Sequence, residues 1–105
     1  MQTGQQILMT IKSQIKEVIP ESKVILFGSR VNNTASEESD WDILVITNNN
    51  TDRKKLKQGI HDKIFPISVA IGSFINVLLL TNRDWEKNPS YYSLRQSVAQ
   101  NHLVL

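Results

Sequence analysis

Val24-Ile25-Leu26-Phe27-Gly28-Ser29-Arg30, followed by Ser39-Asp40-Trp41-Asp42-Ile43-Leu44-Val45-Ile46, are the two stretches from which the fold is read. The unbroken apolar run of the first predicts a short strand buried on both faces that runs into Gly-Ser. Ten residues, Arg30 to Ser39, separate Ser29 from Asp40, and a second strand opens with Asp-x-Asp. Strand residues alternate faces, so Asp40 and Asp42 project to the same side, roughly 7 Å apart at Cα. Two carboxylates at a strand end repel each other unless a cation lies between them. Oxygen-only ligands suit Mg²⁺ or Mn²⁺, which keep several waters and complete their shell from substrate phosphates. The Gly-Ser turn offers a tight backbone whose free N–H groups can hold a phosphate. One half of the site is suited to metal and the other to phosphate.

In this order the residues resemble the DNA polymerase β-like nucleotidyltransferase superfamily, in its small stand-alone form, the minimal nucleotidyltransferase domain. Its signature is an apolar strand, Gly-Ser, a spacer of about ten residues, Asp-x-Asp and a second apolar strand. Here these are Phe27-Gly28-Ser29, Arg30 to Ser39, Asp40-Trp41-Asp42 and the run from Ile43. A bare Gly-Ser or a bare Asp-x-Asp occurs by chance in many proteins, but both at this spacing between apolar strands are specific. The motif covers residues 24–46, and the order of elements extends the likeness over most of the chain.

The resemblance implies a nucleotidyltransferase fold of the α/β (α+β) class, a small mixed β-sheet packed by helices. It implies transfer of a nucleoside monophosphate, AMP from ATP, to an acceptor hydroxyl, with pyrophosphate leaving. Two Mg²⁺ or Mn²⁺ ions about 3.5–4 Å apart neutralise the entering and leaving oxygens in such reactions. Asp40 and Asp42 would hold them as catalytic and metal residues. Gly28 and Ser29 would bind the β- and γ-phosphates, although a strand-ending turn that needs glycine explains Gly28 equally well taken alone. Arg30 is open between clamping the triphosphate and pairing with Glu37, Glu38 or Asp42. Trp41 faces away from the aspartates and is expected to pack a helix.

One departure matters. The family places a third carboxylate in the third strand, where it completes the metal site and takes the proton of the attacking hydroxyl. The matching position in Ile75-Asn76-Val77 is Asn76. Its amide oxygen can ligate a metal but accepts no proton at neutral pH, and loss of a general base costs about 10²–10⁴-fold in rate. Nucleotide and metal binding are therefore better supported than turnover. Two classes follow: an enzyme, or a catalytically weak nucleotide-binding module that docks on a partner. The resemblance implies such a partner, because many minimal members accompany a helical HEPN-domain protein and some serve as its antitoxin. Self-association is the other expected contact.

A chain of 105 residues is large enough for one core, and a single domain over 1–105 is expected. Hydrophobic residues make up 40% and charged residues 21%, the balance of an ordinary globule. No apolar run approaches the ~18 residues of a membrane span, and the polar start Met1-Gln2-Thr3 lacks a signal-peptide pattern. The absence of cysteine excludes disulfides and thiolate metal sites. A net charge of +2 gives no ground for a nucleic-acid partner. The basic cluster Arg53-Lys54-Lys55 with Lys57 reads as a solvated helix face, with phosphate or partner contact as the alternative, and His61 and His102 read as surface residues. A cytoplasmic location is the default expectation.

Along the chain, Ile7, Leu8, Ile11, Ile15, Val18 and Ile19 predict a helix over about 4–19, stopped by Pro20. Strands are expected at 23–27, about 41–47 and 73–80, with a turn or short helix and a polar loop over 29–39. The short link between the first two strands favours an antiparallel pair. Leu56, Ile60 and Ile64 predict a helix capped by Asn50 or Thr51, kinked or divided by Pro66 near Phe65, and continuing to Gly72. Thr81-Asn82-Arg83-Asp84 has the form of a capping box around a short helix. Pro89-Ser90 opens a last helix with Tyr91, Leu94 and Val98 on its apolar face. The segment Trp85 to Leu105 carries Trp85, Tyr91, Tyr92, Leu103, Val104 and Leu105. It either closes one face of the sheet or contacts a partner protein.

Overall fold

Thr3 and Gln6 frame the start of the first helix. The Thr3 side chain accepts from the Gln6 N–H, while the Gln6 side chain accepts from the Thr3 N–H at 2.9 Å, a reciprocal cap. The structure is a computed structural model and describes residues 3–31, 39–48 and 52–105. Helix α1 (Gly4–Val18) turns Ile11 and Ile15 into the core and ends two residues before Pro20. Strand β1 (Lys23–Phe27) pairs antiparallel with β2 (Trp41–Thr47), from Lys23↔Ile46 to Phe27↔Asp42. Helix α2 (Arg53–Ile71) carries the chain across the sheet, so that β3 (Ile75–Thr81) lies parallel to β2 with Asp42 opposite Asn76. A crossover helix is what a parallel neighbour requires.

Helix α3 (Asn82–Lys87), a 3₁₀ turn at Pro89–Tyr91 and α4 (Tyr92–Gln100) follow. Strand β4 (Leu103–Val104) then pairs antiparallel with β1. The strand order is β3-β2-β1-β4, a mixed sheet packed by helices, as the α/β expectation has it. Val24, Leu26, Trp41, Ile43, Val45 and Leu79 face α1 and α2, meeting Ile11, Ile15, Ile60 and Ile64. Ile25, Leu44, Ile46 and Leu80 face the other way, against Val98 with Trp85, Tyr91 and Leu94 around it. Cover on both faces is why β1 and β2 read as continuous apolar runs rather than alternating ones. No helix among the described residues is long and apolar enough to cross a membrane.

Several boundaries differ from expectation for local reasons. Asn50 and Thr51 lie outside the described residues, and Asp52 caps α2, its carboxylate accepting from the Lys55 N–H at 3.2 Å. Pro66 does not divide α2, which runs as one helix to Ile71. The proline removes the N–H that would meet the Asp62 carbonyl and crowds that carbonyl with its ring, but both residues are exposed, so the carbonyl can turn to water. The third strand begins at Ile75 rather than Ser73. Gly72 adopts φ 69°, and the N–H groups of both Gly72 and Ser73 return to the Ser68 carbonyl, so Ser73 still belongs to the helix end. Thr81 caps α3, its hydroxyl accepting from the Asp84 N–H at 3.1 Å, which is one half of the expected box. The last helix opens as a 3₁₀ turn, with Asn88 accepting from the Ser90 N–H. Most of the turn and loop expected over 29–39 lies outside the described residues.

Candidate active site

The alternation of β2 sorts its opening residues. Trp41 and Ile43 enter the core beneath α1 and α2, which leaves Asp42 on the opposite face with Leu44. The register then sets Asp42 in the middle of a row, with Phe27 opposite on β1 and Asn76 opposite on β3. Asp40, two residues earlier, shares that face. Its carboxylate and that of Asp42 converge on one group: Asn76 Nδ2 donates to Asp40 Oδ2 at 3.1 Å and to Asp42 Oδ1 at 3.2 Å. Asp40 and Asn76 are exposed and Asp42 is half-buried. The structure thus brings together the three residues singled out from sequence, Asp40 standing one residue ahead of β2.

Gly28 continues β1 directly beside them. Its φ of 84° lies in the left-handed region, where a side chain is strained. A Cβ there would also collide with Asp42 Oδ2 and stand 3.3 Å from Asp42 Cγ. Glycine is therefore needed twice, once for the turn and once so that backbone can approach the carboxylate. The Val31 N–H closes the turn on the Gly28 carbonyl at 3.1 Å, and Ser29 lies within it, half-buried.

Arg30 has a role that neither sequence alternative contained. Its guanidinium donates to the Ser39 carbonyl from Nε at 3.2 Å and from Nη2 at 2.6 Å. Its Cζ also stands 4.2 Å from the centroid of the Trp41 ring, a cation–π contact. Trp41 is 5% exposed and lies in the core with Ile11 and Ile15 of α1, so it packs a helix as expected. Arg30 thereby clasps the two ends of the connection between β1 and β2. Glu37 and Glu38, named as pairing partners for Arg30, lie outside the described residues.

The remaining sequence candidates fall away from this row. His61 stacks on Phe65 along α2 at 5.6 Å, and His102 Nδ1 lies 2.7 Å from the Val98 carbonyl. Arg53 is more than part of a solvated face, since its guanidinium reaches the Leu79 carbonyl and, at 3.5 Å, Asp84. A groove of about 620 Å³ between α2 and β3 is lined by apolar residues such as Ile64, Phe65, Val69, Phe74 and Val77. It lies on the sheet face away from Asn76.

Among the described residues no three His, Cys, Asp or Glu side chains gather as a metal cage. Two carboxylates are instead the ligand set, with the Asn76 amide –NH₂ between them. That set fits part of the shell of a hard, oxygen-preferring divalent ion whose remaining ligands are phosphate oxygens and water. Paired carboxylates next to a glycine turn thus stand on one rim of a mixed sheet in an α/β domain. The chain belongs to the nucleotidyltransferase domain family, whose model matches residues 8–90. That span holds Gly28, Ser29, Arg30, Asp40, Asp42 and Asn76. No curated protein matches the chain at a significant level.

Proposed function

We propose that this domain binds a nucleoside triphosphate together with Mg²⁺ or Mn²⁺ and transfers a nucleoside monophosphate, AMP from ATP, to an acceptor hydroxyl on a partner protein. The observation that supports this most is the single row in which the Gly28 backbone abuts Asp42 while Asp40 shares its face. Asp40 and Asp42 would hold the ion, which when bound neutralises phosphoryl oxygens that otherwise repel a nucleophile. The turn at Gly28 and Ser29 would orient the distal phosphates through backbone N–H groups and the Ser29 hydroxyl. Arg30 fixes that turn against Trp41 and Ser39. A cytoplasmic setting, where nucleotides and Mg²⁺ meet, belongs to this reading, and so does a helical HEPN-type partner in a toxin–antitoxin pair.

Asn76 favours a second reading. An amide that donates to both carboxylates cannot take a proton from an acceptor hydroxyl. Turnover is then slow, and the domain acts as a nucleotide-binding module that docks on its partner. Incubation with labelled ATP, Mg²⁺ and the candidate partner separates the two. Label transfer with pyrophosphate release supports the enzyme. Nucleotide retention without release supports the module. Calorimetric titration of the Asp40→Ala, Asp42→Ala double variant with ATP and Mg²⁺ should show loss of binding. Unchanged affinity would reduce the pair to a solvated acidic turn.

A further inference from the structure

Carboxylates are acceptors only, whereas an amide presents a donor end and an acceptor end. At Asn76 the donor end faces both Asp40 and Asp42, at 3.1 and 3.2 Å. The reverse orientation would set its oxygen against carboxylate oxygens, lone pair to lone pair. The –NH₂ group therefore occupies the place between two negative charges that a cation would otherwise take. We infer that Asn76 is a built-in competitor for the ion: its amide holds the two carboxylates together and must be displaced before a divalent cation can bind them. This rests on the reading of Asp40 and Asp42 as the ion-holding pair and adds a control on that site.

The consequence concerns the order of entry. A free Mg²⁺ or Mn²⁺ has to break two charge-assisted hydrogen bonds and also shed part of its tightly held hydration. An ion arriving on a triphosphate has already exchanged waters for phosphate oxygens and brings the turn contacts at Gly28 and Ser29 with it. The site therefore favours the metal–nucleotide complex over the bare ion. Asn76 is a positioning residue in this scheme. Its amide could contribute its oxygen only after a half-turn about χ2, a terminal torsion with two broad wells.

The exposed position of Asn76 makes the test direct, because truncation there opens no cavity. Mn²⁺ alone is titrated, by calorimetry or by its paramagnetic resonance signal, into the parent chain, Asn76→Ala, Asn76→Asp and the Asp40→Ala, Asp42→Ala double variant. A competitor amide predicts that Asn76→Ala binds Mn²⁺ more tightly than the parent, by about tenfold or more, since two charge-assisted bonds no longer have to be broken. The melting temperature of Asn76→Ala should fall in chelator, where the carboxylates face each other uncompensated, and recover on adding Mn²⁺. Asn76→Asp should bind more tightly still.

If Asn76→Ala binds Mn²⁺ more weakly, the side chain is a ligand, and the inference is wrong. Equal affinity in parent and Asn76→Ala overturns it as well, since the amide then competes with nothing. If the double aspartate variant binds Mn²⁺ as the parent does, the ion lies elsewhere. The underlying site reading fails in that case, whatever the Asn76 variants do.

Discussion

Gly28 carries two constraints that a substitution would violate together. An alanine there costs about 1–2 kcal/mol for the left-handed backbone, and its methyl also meets the Asp42 carboxylate. We expect Gly28→Ala to lower the melting temperature by several degrees, at about 4–8 °C per kcal/mol for a domain of this size. It should also lose ATP affinity, because moving Asp42 disturbs both halves of the site. A melting curve and a calorimetric titration of one preparation read both effects. Retained ATP affinity in a destabilised variant would separate the turn from the site. Ser29→Ala is expected to weaken ATP binding more than AMP binding, since the proposed contacts are to distal phosphates. Equal losses for the two nucleotides would place Ser29 off the triphosphate path. At this scale the sequence is most informative: Gly28, Asp40, Asp42 and Asn76 are all legible in it. Alternation and strand order suffice to bring such residues to one face. The clasp made by Arg30 is not legible, because it depends on where the connection between strands returns its Ser39 carbonyl.

That connection gives the element scale its own test. β1 and β2 are antiparallel neighbours, but the residues joining them hold the Gly-Ser turn at one end and the first aspartate at the other. Arg30 links those ends by a two-nitrogen contact to one carbonyl and by stacking on Trp41. Lysine preserves the charge but has neither the planar fork nor its stacking face. We expect Arg30→Lys to weaken ATP binding nearly as much as Arg30→Ala while leaving the fold intact. Full rescue by lysine, measured in the same titration with circular dichroism as the fold check, would show that charge alone matters and favour the phosphate-clamp alternative. Elements are readable where burial imposes a pattern. The helical stripe Ile7–Ile19 and the two buried strands announce themselves through spacing. Of the two outcomes expected at Pro66, division does not occur, for a physical reason. A proline on the exposed side of a helix already packed through Ile60 and Ile64 forfeits one hydrogen bond, and tertiary burial keeps the helix in one piece.

For the whole molecule, the chain end is the part that sequence leaves undecided between closing the sheet and meeting a partner. Two residues, Leu103 and Val104, are too few to show a period, and only the finished sheet offers them the free edge of β1. They pair with Leu26 and Ile25, and the Leu105 N–H reaches the Val24 carbonyl at 2.9 Å. Leu105 packs against the core shared with α1 and α2, whereas the side chains of Leu103 and Val104 stay about half exposed. Backbone and side chains of this segment therefore face different tasks, and two variants separate them. Ending the chain at His102 removes β4 and bares β1, whose Val24-Ile25-Leu26-Phe27 run has no charge or proline to guard an open edge. The expected loss is about 2–4 kcal/mol from one half-buried leucine and the backbone pairing, together with a rise in light scattering as bare edges associate. The Leu103→Ser, Val104→Ser double variant keeps the backbone pairing and should melt within a few degrees of the parent. If that variant also loses a partner that the parent retains in a pull-down, the exposed side chains are the contact. If it melts as low as the truncated chain, the side chains rather than the pairing hold the edge, and β4 does not act through its backbone.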